Sequence, residues 1–360
     1  MYITTYAIDL VALVYLAVLT ASSTSLRPYR KKPFLMGVFI TVIIILSEAG
    51  TIFTCNEGSS LRSLNIIFNV LGFSLTPILP VVIASILDIN LFRKSRLLLV
   101  PTVVNTVLVL LSPFYGLIFV VDAYSEYTRG DLFFIFLAAY ILNFTVVVLS
   151  TLALGREHSY PMLHKVVGLS LIVLIGTSIQ LVYPTAYSSW HCATLSLLLY
   201  FFVLSEFDSS FDSLTGLYNR GAFERATHYM AENEAFSIIM IDIDNFKEIN
   251  DANGHNYGDV VIREVACAIK QSFDRSYRCY RFGGDEFAVL GRETDRQKIE
   301  SQLQIMTENL AALNANIGLL PTVSYGYSVF HGGEALDFQM IFKEADDQMY
   351  ESKRLYKAKQ

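Results

Sequence analysis

Four acidic side chains in the C-terminal half of the sequence stand where a strand end and a turn can bring them together. Asp242 and Asp244 alternate at the end of an apolar run, and Asp285 and Glu286 follow a pair of glycines. Two carboxylates about 4 Å apart repel by roughly 4 kcal/mol at an effective dielectric of about 20, so a fold that gathers them needs a cation or access to water. Oxygen-only ligands suit Mg²⁺, which typically takes one or two carboxylates together with substrate phosphates. The pattern therefore indicates phosphoryl transfer with Mg²⁺, against the alternative of a solvated acidic strand end.

Residues near this acidic group point to a nucleotide. Gly283 and Gly284 carry no side chains, so a flat base or a phosphate can approach the backbone there. Asn250 and Asp259 offer an amide and a carboxylate that suit a purine edge. A carboxylate accepts from the N1–H and the exocyclic amine of guanine, and an amide donates to O6 or N7. Adenine lacks the N1–H donor, so Asp259 favours guanine.

Hydrophobic spacing predicts the elements that position these residues. Short apolar runs predict strands, and apolar residues recurring every three or four positions predict amphipathic helices. Two strands flank the glycine pair, which predicts a hairpin whose turn carries Asp285 and Glu286. Alternating helices and strands suit an α/β sheet with helices on one or both faces. The predicted strands are Phe236–Ile241, Tyr277–Arg281, Phe287–Leu290 and Thr322–Phe330; the predicted helices are Phe246–Asn253, Asp259–Phe273, one carrying Ile299 to Leu313 and one carrying Phe338 to Met349.

Composition divides the sequence into two unlike parts. The 360 residues are 53% apolar and 17% charged with a net charge of −6, which excludes a disordered chain, a coiled coil and a nucleic-acid-binding protein. Residues 1–206 carry 20 charged side chains, whereas residues 207–360 carry 40. We therefore expect an all-α membrane region over 1–206 and a soluble, acidic domain over 207–360.

Seven apolar segments of the first part predict membrane-spanning helices. Alternate loops hold nine basic residues on one side and two on the other, which places the N terminus outside and residue 207 onward in the cytoplasm. An odd number of spans requires the same arrangement. The predicted spans are Tyr6–Ser23, Pro33–Phe53, Leu64–Leu87, Leu97–Val121, Leu132–Leu154, Val166–Pro184 and Cys192–Leu204; the nine basic residues are Arg27, Arg30, Lys31, Lys32, Arg93, Lys94, Arg96, Arg156 and Lys165, and the two are Arg62 and Arg129.

One acidic residue falls inside the second predicted span. An ionisable group at such depth costs a few kcal/mol on insertion scales and often marks a functional position. Glu48 is therefore a candidate functional residue, and a neutral, hydrogen-bonded or interfacial carboxyl is the alternative.

Spaced motifs in the C-terminal part resemble the GGDEF domain family. In order they are DSLTGLYNR at 212–220, DIDNFKEIND at 242–251, GHNYGD at 254–259, RFGGDEF at 281–287, SYG at 324–326 and a terminal helix with AD at 345–346 and Lys353. So many motifs in one order make the resemblance specific. The membrane region resembles the multispan sensor regions of bacterial signalling proteins, without a motif to identify it.

The resemblance implies a fold similar to the nucleotide-cyclase and polymerase palm domains. It implies a diguanylate cyclase of the bacterial plasma membrane, which condenses two GTP molecules into cyclic di-GMP with release of two pyrophosphates. Each domain would bind one GTP, so catalysis requires a homodimer. The short joint at Leu204–Phe211 lacks a Gly/Ser linker, so we expect the bundle, biased by an unknown signal ligand or the lipid bilayer, to set the dimer geometry.

The same resemblance implies a role for each motif residue. Asp242, the carbonyl of Ile243 and Asp285 would bind Mg²⁺, with Mn²⁺ as the alternative ion. Glu286 would help bind the metal and activate the attacking 3′-hydroxyl. The implied substrate-binding residues are Asn245, Phe246 and Lys247 through backbone amides to the β- and γ-phosphates, Gly283 and Gly284 beside the substrate, Asn250 and Asp259 for guanine, and Lys353 and Lys357 for phosphate charge.

Two positions depart from the family pattern. Lys357 stands where many members have the arginine of a terminal GRN, so it keeps the charge and loses the bidentate fork. Asp274 and Tyr277 stand where many members have the Arg and Asp of the product-inhibition motif RxxD. Two other functions stay open: a catalytically weak GGDEF domain that binds nucleotide as a regulator, and a membrane transporter or receptor with an accessory domain.

Overall fold

The computed structural model describes residues 2–55, 60–88, 95–158, 160–183, 186–230, 235–317, 322–332 and 338–358. The chain divides into two compact units, Met1–Asp208 and Ser209–Gln360. The first is helical apart from one short hairpin, and the second is a five-stranded sheet with helices. The predicted fold classes of both parts are therefore confirmed.

Within the described residues, seven helices of the N-terminal unit are long and apolar enough to cross a bilayer. Helix α7 contacts α1, α2 and α6, so the last helix packs back against the first two. The helices are α1 (Tyr2–Ser22), α2 (Pro28–Thr54), α3 (Arg62–Ser85), α4 (Val100–Tyr115, after a 3₁₀ turn at Arg96–Leu99), α5 (Phe133–Glu157), α6 (Leu163–Val182) and α7 (Ser188–Asp208).

The predicted fourth span, Leu97–Val121, is wrong at its C-terminal end. Helix α4 stops at Gly116, which takes the left-handed conformation (φ 64°) that glycine adopts without steric cost. The next residues form strand β1 (Phe119–Val121), which pairs antiparallel with β2 (Tyr127–Arg129). Hydropathy alone could not separate this apolar strand from the helix before it. Two of the predicted loop cations, Arg93 and Lys94, lie outside the described residues.

Glu48 is hydrogen-bonded inside the bundle. Its carboxylate accepts from the Tyr6 hydroxyl at 2.9 Å and from the Gln180 amide at 2.7 Å. The Gln180 carbonyl accepts in turn from the backbone N–H of Ser189 at 2.8 Å. Polar groups of α1, α2 and α6 therefore hold the first turn of α7, where His191 also contacts Asp9.

The opposite end of α7 is held by an ion pair. The side chain of Asp208, the last residue of α7, lies 3.3 Å from the guanidinium of Arg30, and both side chains are fully buried. Asp208 also accepts a hydrogen bond from the backbone N–H of Arg27 at 2.9 Å. Arg27, just before α2, and Arg30, in the first turn of α2, thus hold the C-terminal end of α7.

The C-terminal unit is built on a sheet of order β3-β5-β6-β4-β7. The central strand β4 pairs antiparallel with β6 and β7, β5 pairs antiparallel with β6, and only the short edge pair β3–β5 is parallel. The predicted hairpin of β5 and β6 is confirmed. The strands are β3 (Tyr218–Asn219), β4 (Phe236–Ile243), β5 (Tyr277–Arg281), β6 (Glu286–Gly291) and β7 (Val323–Phe330).

Helices cover both faces of this sheet. Apolar residues of α10 and α11 pack with Ile239, Ile241 and Val289 in one core. On the other face the ring of Phe223 lies 5.2 Å from Tyr280. The helices are α8 (Arg220–Met230), α9 (Phe246–Asn253), α10 (His255–Ser272), α11 (Arg296–Ile317) and α12 (Phe338–Ala358). Helix α10 begins four residues before its predicted start, and α8 was not predicted.

Candidate active site

The predicted meeting of acidic residues occurs at one end of β4. Asp242 is the direct Cα partner of Glu286 in the antiparallel ladder of β4 and β6. The backbone N–H of Ile243 donates to the carbonyl of Asp285 at 3.2 Å. Asp242 is only 6% exposed, whereas Asp285 and Glu286 are half-buried. The hairpin turn therefore presents two carboxylates beside a third that is almost buried.

A tight turn between β5 and β6 fixes Glu286. The backbone N–H groups of Phe282 and Gly283 both donate to the Glu286 carbonyl, at 2.8 and 3.1 Å. A Cβ at Gly283 would come within 2.6 Å of the Glu286 carboxylate, so that side chain folds back over the glycine. Nothing lies within 4 Å of a Cβ at Gly284, which is exposed. The observed position of the Glu286 carboxylate thus uses the space that a side chain at Gly283 would take, and Gly284 leaves open space.

Asp244, two residues beyond Asp242, has a different environment. Its carboxylate accepts from the Ser324 hydroxyl at 2.6 Å and from the Thr322 hydroxyl at 2.7 Å. It is 2% exposed, and its backbone N–H donates to the Thr322 carbonyl. These bonds tie the end of β4 to the start of β7, so Asp244 supports the strand end rather than facing the open turn.

The cation nearest the acidic group is Lys353 of α12. Its ammonium lies 2.5 Å from the Asp242 carboxylate. The helix reaches this position because α12 packs directly on β7: a Cβ at Gly326 would lie 2.3 Å from the Ala345 carbonyl and from the Met349 backbone nitrogen. The glycine of the SYG motif therefore permits the contact between Lys353 and Asp242.

Burial and crowding make negative charge unfavourable at this strand end. Burial raises the pKa of Asp242, and the Lys353 ammonium opposes that shift. Burial also raises the pKa of Glu286, and the charges of Asp242, Asp285 and Asp346 raise it further. Burial opposes the charge of Lys353, yet the ion pair with Asp242 keeps its pKa above the ordinary value. One ammonium therefore faces several carboxylates, and further positive charge would stabilise them.

The two residues predicted for guanine lie on adjacent helices. Asn250 is in α9 and Asp259 in α10, and Gly254 (φ 83°) makes the sharp turn between those helices. A Cβ at Gly258 would overlap the Asn250 side-chain oxygen, so that amide packs directly on the backbone before Asp259. Asp259 is exposed. Because Gly258 has no side chain, the Asn250 amide can pack against the first turn of α10, the helix that carries Asp259.

The predicted phosphate-binding amides lie where β4 turns into α9. Asn245 is left-handed (φ 53°), and α9 begins at Phe246 without a side-chain cap from Asn245. The N terminus of a helix carries partial positive charge and unsatisfied N–H groups, which suits phosphate. This turn comes directly after Asp242 and Ile243, so the amides of Phe246 and Lys247 begin within a few residues of the acidic group.

Comparison with known proteins identifies this unit. Residues 209–359 match the family model described as diguanylate cyclase, GGDEF domain. The C-terminal unit is a GGDEF domain.

Three relatives illustrate the match. The cyclic di-GMP phosphodiesterase PdeR of Escherichia coli is 35% identical over 150 residues, covering 39% of this chain and 22% of the relative. The diguanylate cyclase VdcA of Vibrio cholerae is 34% identical over 156 residues, covering 41% and 45%. The membrane protein SH2145 of Staphylococcus haemolyticus is 26% identical over 196 residues, covering 52% of each. The chain thus spans from about a fifth to about half the length of these relatives. The seven apolar helices of this chain and its match to SH2145 together indicate that this chain is a membrane protein.

The acidic group of the GGDEF domain suits a divalent cation that also binds phosphate. Asp242, the Ile243 carbonyl, Asp285 and Glu286 offer oxygen donors only. Among the described residues, no three carboxylate, histidine or cysteine side chains converge tightly enough to enclose an ion by themselves. Mg²⁺ takes few protein carboxylates and completes its shell with phosphate and water, so an open, half-formed set of this kind fits it.

Further contacts of the GGDEF domain hold the glycine turn from outside. Burial opposes ionisation of Asp212, but hydrogen bonds from Thr215 and the guanidinium of Arg281 lower its pKa. Arg281 also donates to the Gly284 carbonyl at 2.9 Å. The opening DSLTG motif is therefore a support for the RFGGDEF turn, a role that we did not predict. Lys357 lies exposed in the last turn of α12, one helical turn beyond Lys353.

Proposed function

We propose that the chain is a membrane-bound diguanylate cyclase that condenses two GTP molecules into cyclic di-GMP and releases two pyrophosphates. The observation that carries the proposal is the acidic group itself. Asp242, Asp285 and Glu286 are all present, the ladder between β4 and β6 brings them together, and Lys353 lies beside them. These are the kinds of group that metal-assisted phosphoryl transfer uses.

Each residue of this site has a different role in phosphoryl transfer. In each half-reaction the 3′-hydroxyl of one GTP attacks the α-phosphate of the other, the new P–O bond forms, and pyrophosphate leaves. Glu286 accepts the proton of that hydroxyl as a general base. The N–H groups of Asn245, Phe246 and Lys247 hold the β- and γ-phosphates at the start of α9. Lys353 and Lys357 offset phosphate charge.

Asp242, the Ile243 carbonyl, Asp285 and Glu286 would hold Mg²⁺, with Mn²⁺ as the alternative. Bound there, the metal would supply positive charge to the reacting phosphate and to the leaving pyrophosphate. Lys353 offsets part of the charge of Asp242 through their direct contact. If a metal ion offset that charge instead, the long side chain of Lys353 could turn toward a phosphate.

The reaction requires two copies of the domain. Each GGDEF domain binds one GTP, and the hydroxyl of one nucleotide must reach the phosphate of the other, so the active form is a homodimer with the two sites facing. The N-terminal unit spans the membrane with the N terminus outside, which puts the end of α7 and the GGDEF domain in the cytoplasm, where GTP is available. Conversion of GTP to cyclic di-GMP by the purified full chain tests the activity; GTP binding without turnover would favour the regulator.

Guanine recognition gives a sharp test of the proposed pair Asn250 and Asp259. Asp259→Ala removes the acceptor for the guanine N1–H and amine, which leaves polar groups of the base unpaired. Such a loss typically costs about 1–3 kcal/mol, so the KM for GTP should rise between about fivefold and about 150-fold. Wild-type protein should use GTP and reject ATP.

The control for this test is Asp251→Ala, which removes an exposed carboxylate of α9 and changes the net charge of the protein by the same amount as Asp259→Ala. Its KM for GTP should stay near that of the wild type. Equal rates with ATP and GTP in the wild type, or an unchanged KM in Asp259→Ala, would contradict the assignment.

The segment before the glycine turn predicts how the product acts. Asp274 accepts from the backbone N–H and the hydroxyl of Ser276, at 2.7 and 2.5 Å, and the ring of Tyr277 is buried against Phe273. Neither side chain offers the Arg and Asp pair of the inhibitory motif. Initial rates should therefore respond to micromolar cyclic di-GMP only by competition with GTP. A lowered maximal rate at saturating GTP would reveal a separate inhibitory site.

A further inference from the structure

A groove on the first turns of α2 joins charged and apolar side chains. It has a volume of about 460 Å³ and is lined by Pro28, Lys31, Lys32, Leu35, Met36 and Phe39. These positions recur at intervals of three or four along α2, so they form one stripe of the helix surface. The two lysines occupy one end of the stripe, and the apolar side chains continue from there for about two helical turns.

The lysines of this groove differ from the two arginines beside them. Arg27 and Arg30 hold Asp208, and Arg30 is fully buried. Lys31 donates to the Ala21 carbonyl at 3.3 Å, and Lys32 is exposed. Across the described ranges neither lysine forms an ion pair with a carboxylate of this chain. The positive charge of the groove is therefore available to an anion from outside the protein.

The apolar end of the groove faces outward. Met36 is 48% exposed and Phe39 is 65% exposed, although both lie in a helix that is long and apolar enough to span a bilayer. Side chains of this kind on the outer face of a bundle contact acyl chains. A free phosphate would use the lysines alone, whereas an anionic phospholipid has a headgroup for the lysines and chains for Met36 and Phe39.

We propose that this groove binds one anionic glycerophospholipid, with its phosphate at Lys31 and Lys32 and an acyl chain along Leu35, Met36 and Phe39. The inference rests on the proposed membrane topology, which puts this end of α2 at the cytoplasmic leaflet, where anionic lipids and basic side chains attract each other. The N terminus of α2, which begins at Pro28, adds partial positive charge on the same side. The phospholipid thus matches the groove, because its anionic headgroup suits the lysine end and its acyl chain suits the apolar end.

The test counts bound lipid on the full chain in detergent by native mass spectrometry. Dioleoyl phosphatidylglycerol is titrated against dioleoyl phosphatidylcholine, which has the same chains and no net charge. Wild-type protein should retain one phosphatidylglycerol in preference to phosphatidylcholine. Lys31→Gln with Lys32→Gln should weaken that binding about 25-fold, since each lysine contributes about a fivefold factor. Lys31→Arg with Lys32→Arg should restore it.

The matched control is Arg96→Gln with Arg156→Gln, which removes the same charge from the 3₁₀ turn before α4 and from the last turn of α5, both assigned to the same membrane side. It should keep the bound phosphatidylglycerol. Equal retention of the two lipids by the wild type, or an equal loss in the arginine variant, would overturn the proposal. So would displacement of the lipid by millimolar inorganic phosphate, because that would show a site for phosphate alone. The readout does not use GTP, so a chain without cyclase activity would still decide the question.

Discussion

Glu286→Gln should abolish the conversion of GTP to cyclic di-GMP while GTP still binds. The substitution keeps the shape of the side chain and the backbone bonds that its carbonyl makes to Phe282 and Gly283. It removes the proposed base and one oxygen ligand of the metal. Loss of general base catalysis alone lowers rates on the order of 10²–10⁴-fold, and loss of a metal ligand adds to that. Turnover should fall below detection, measured as product formed by the purified full chain.

Glu264→Gln is the matched control, because it makes the same chemical change on α10, away from the glycine turn. Its turnover should equal that of the wild type. GTP binding by both variants is measured by calorimetry with Ca²⁺ in place of Mg²⁺, so that binding is separated from chemistry. Near-normal turnover in Glu286→Gln would remove the basis of the proposed mechanism.

The acidic group was predictable because two simple patterns determine it. The apolar run Phe236–Ile241 is too short for a typical helix and favours a buried strand, and a glycine pair between two short strands favours a hairpin turn. When the hairpin pairs with the strand, Asp242 falls opposite Glu286. The structural role of Asp244 was not predictable in the same way. Its partners Thr322 and Ser324 lie about 80 positions away, and nothing local indicates them.

The roles of two motif glycines became clear only from the structure. Gly258 and Gly326 look like ordinary helix and strand positions, yet a Cβ at either would overlap a neighbour. The first lets Asn250 approach the start of α10, and the second lets α12 bring Lys353 to Asp242. In the sequence, the signal for such a close contact is a glycine at a position where the helix or strand pattern predicts a larger side chain. The group that approaches it depends on tertiary packing, which spacing along the sequence does not encode.

Hydropathy predicted the spans of the membrane unit but not their polar contacts. The hydrogen bonds of Glu48 to Tyr6 and Gln180 connect residues that are far apart in sequence. The same holds for the buried pair of Arg30 and Asp208. That pair bears on the proposed control of cyclase activity, because α7 ends at Asp208, four residues before the first GGDEF motif begins at Asp212.

Alanines inserted between Asp208 and Ser209 should change cyclase activity with the phase of the helix. Alanine is the strongest helix former, so the insertion extends α7 and leaves Arg27 and Arg30 in contact with Asp208. Each added residue rotates the chain beyond the insertion by about 100° and moves it by about 1.5 Å. If the bundle sets the geometry of the dimer, two alanines should reduce turnover to near background, and four should restore most of it.

The control for helical phase is a matched series of one to four glycines at the same point. Glycine is a poor helix former and makes the joint flexible, so turnover should no longer depend on the number of residues. Asp208→Asn adds a second test, because it weakens the ion pair that anchors α7 and should reduce the contrast between two and four alanines. A stiff joint transmits rotation of the bundle as a two-state bias on the dimer, and a flexible joint loses it. An equal rate for the insertions of two and of four alanines would therefore show that the membrane unit does not act through orientation, and it would not bear on the proposed role of Glu286.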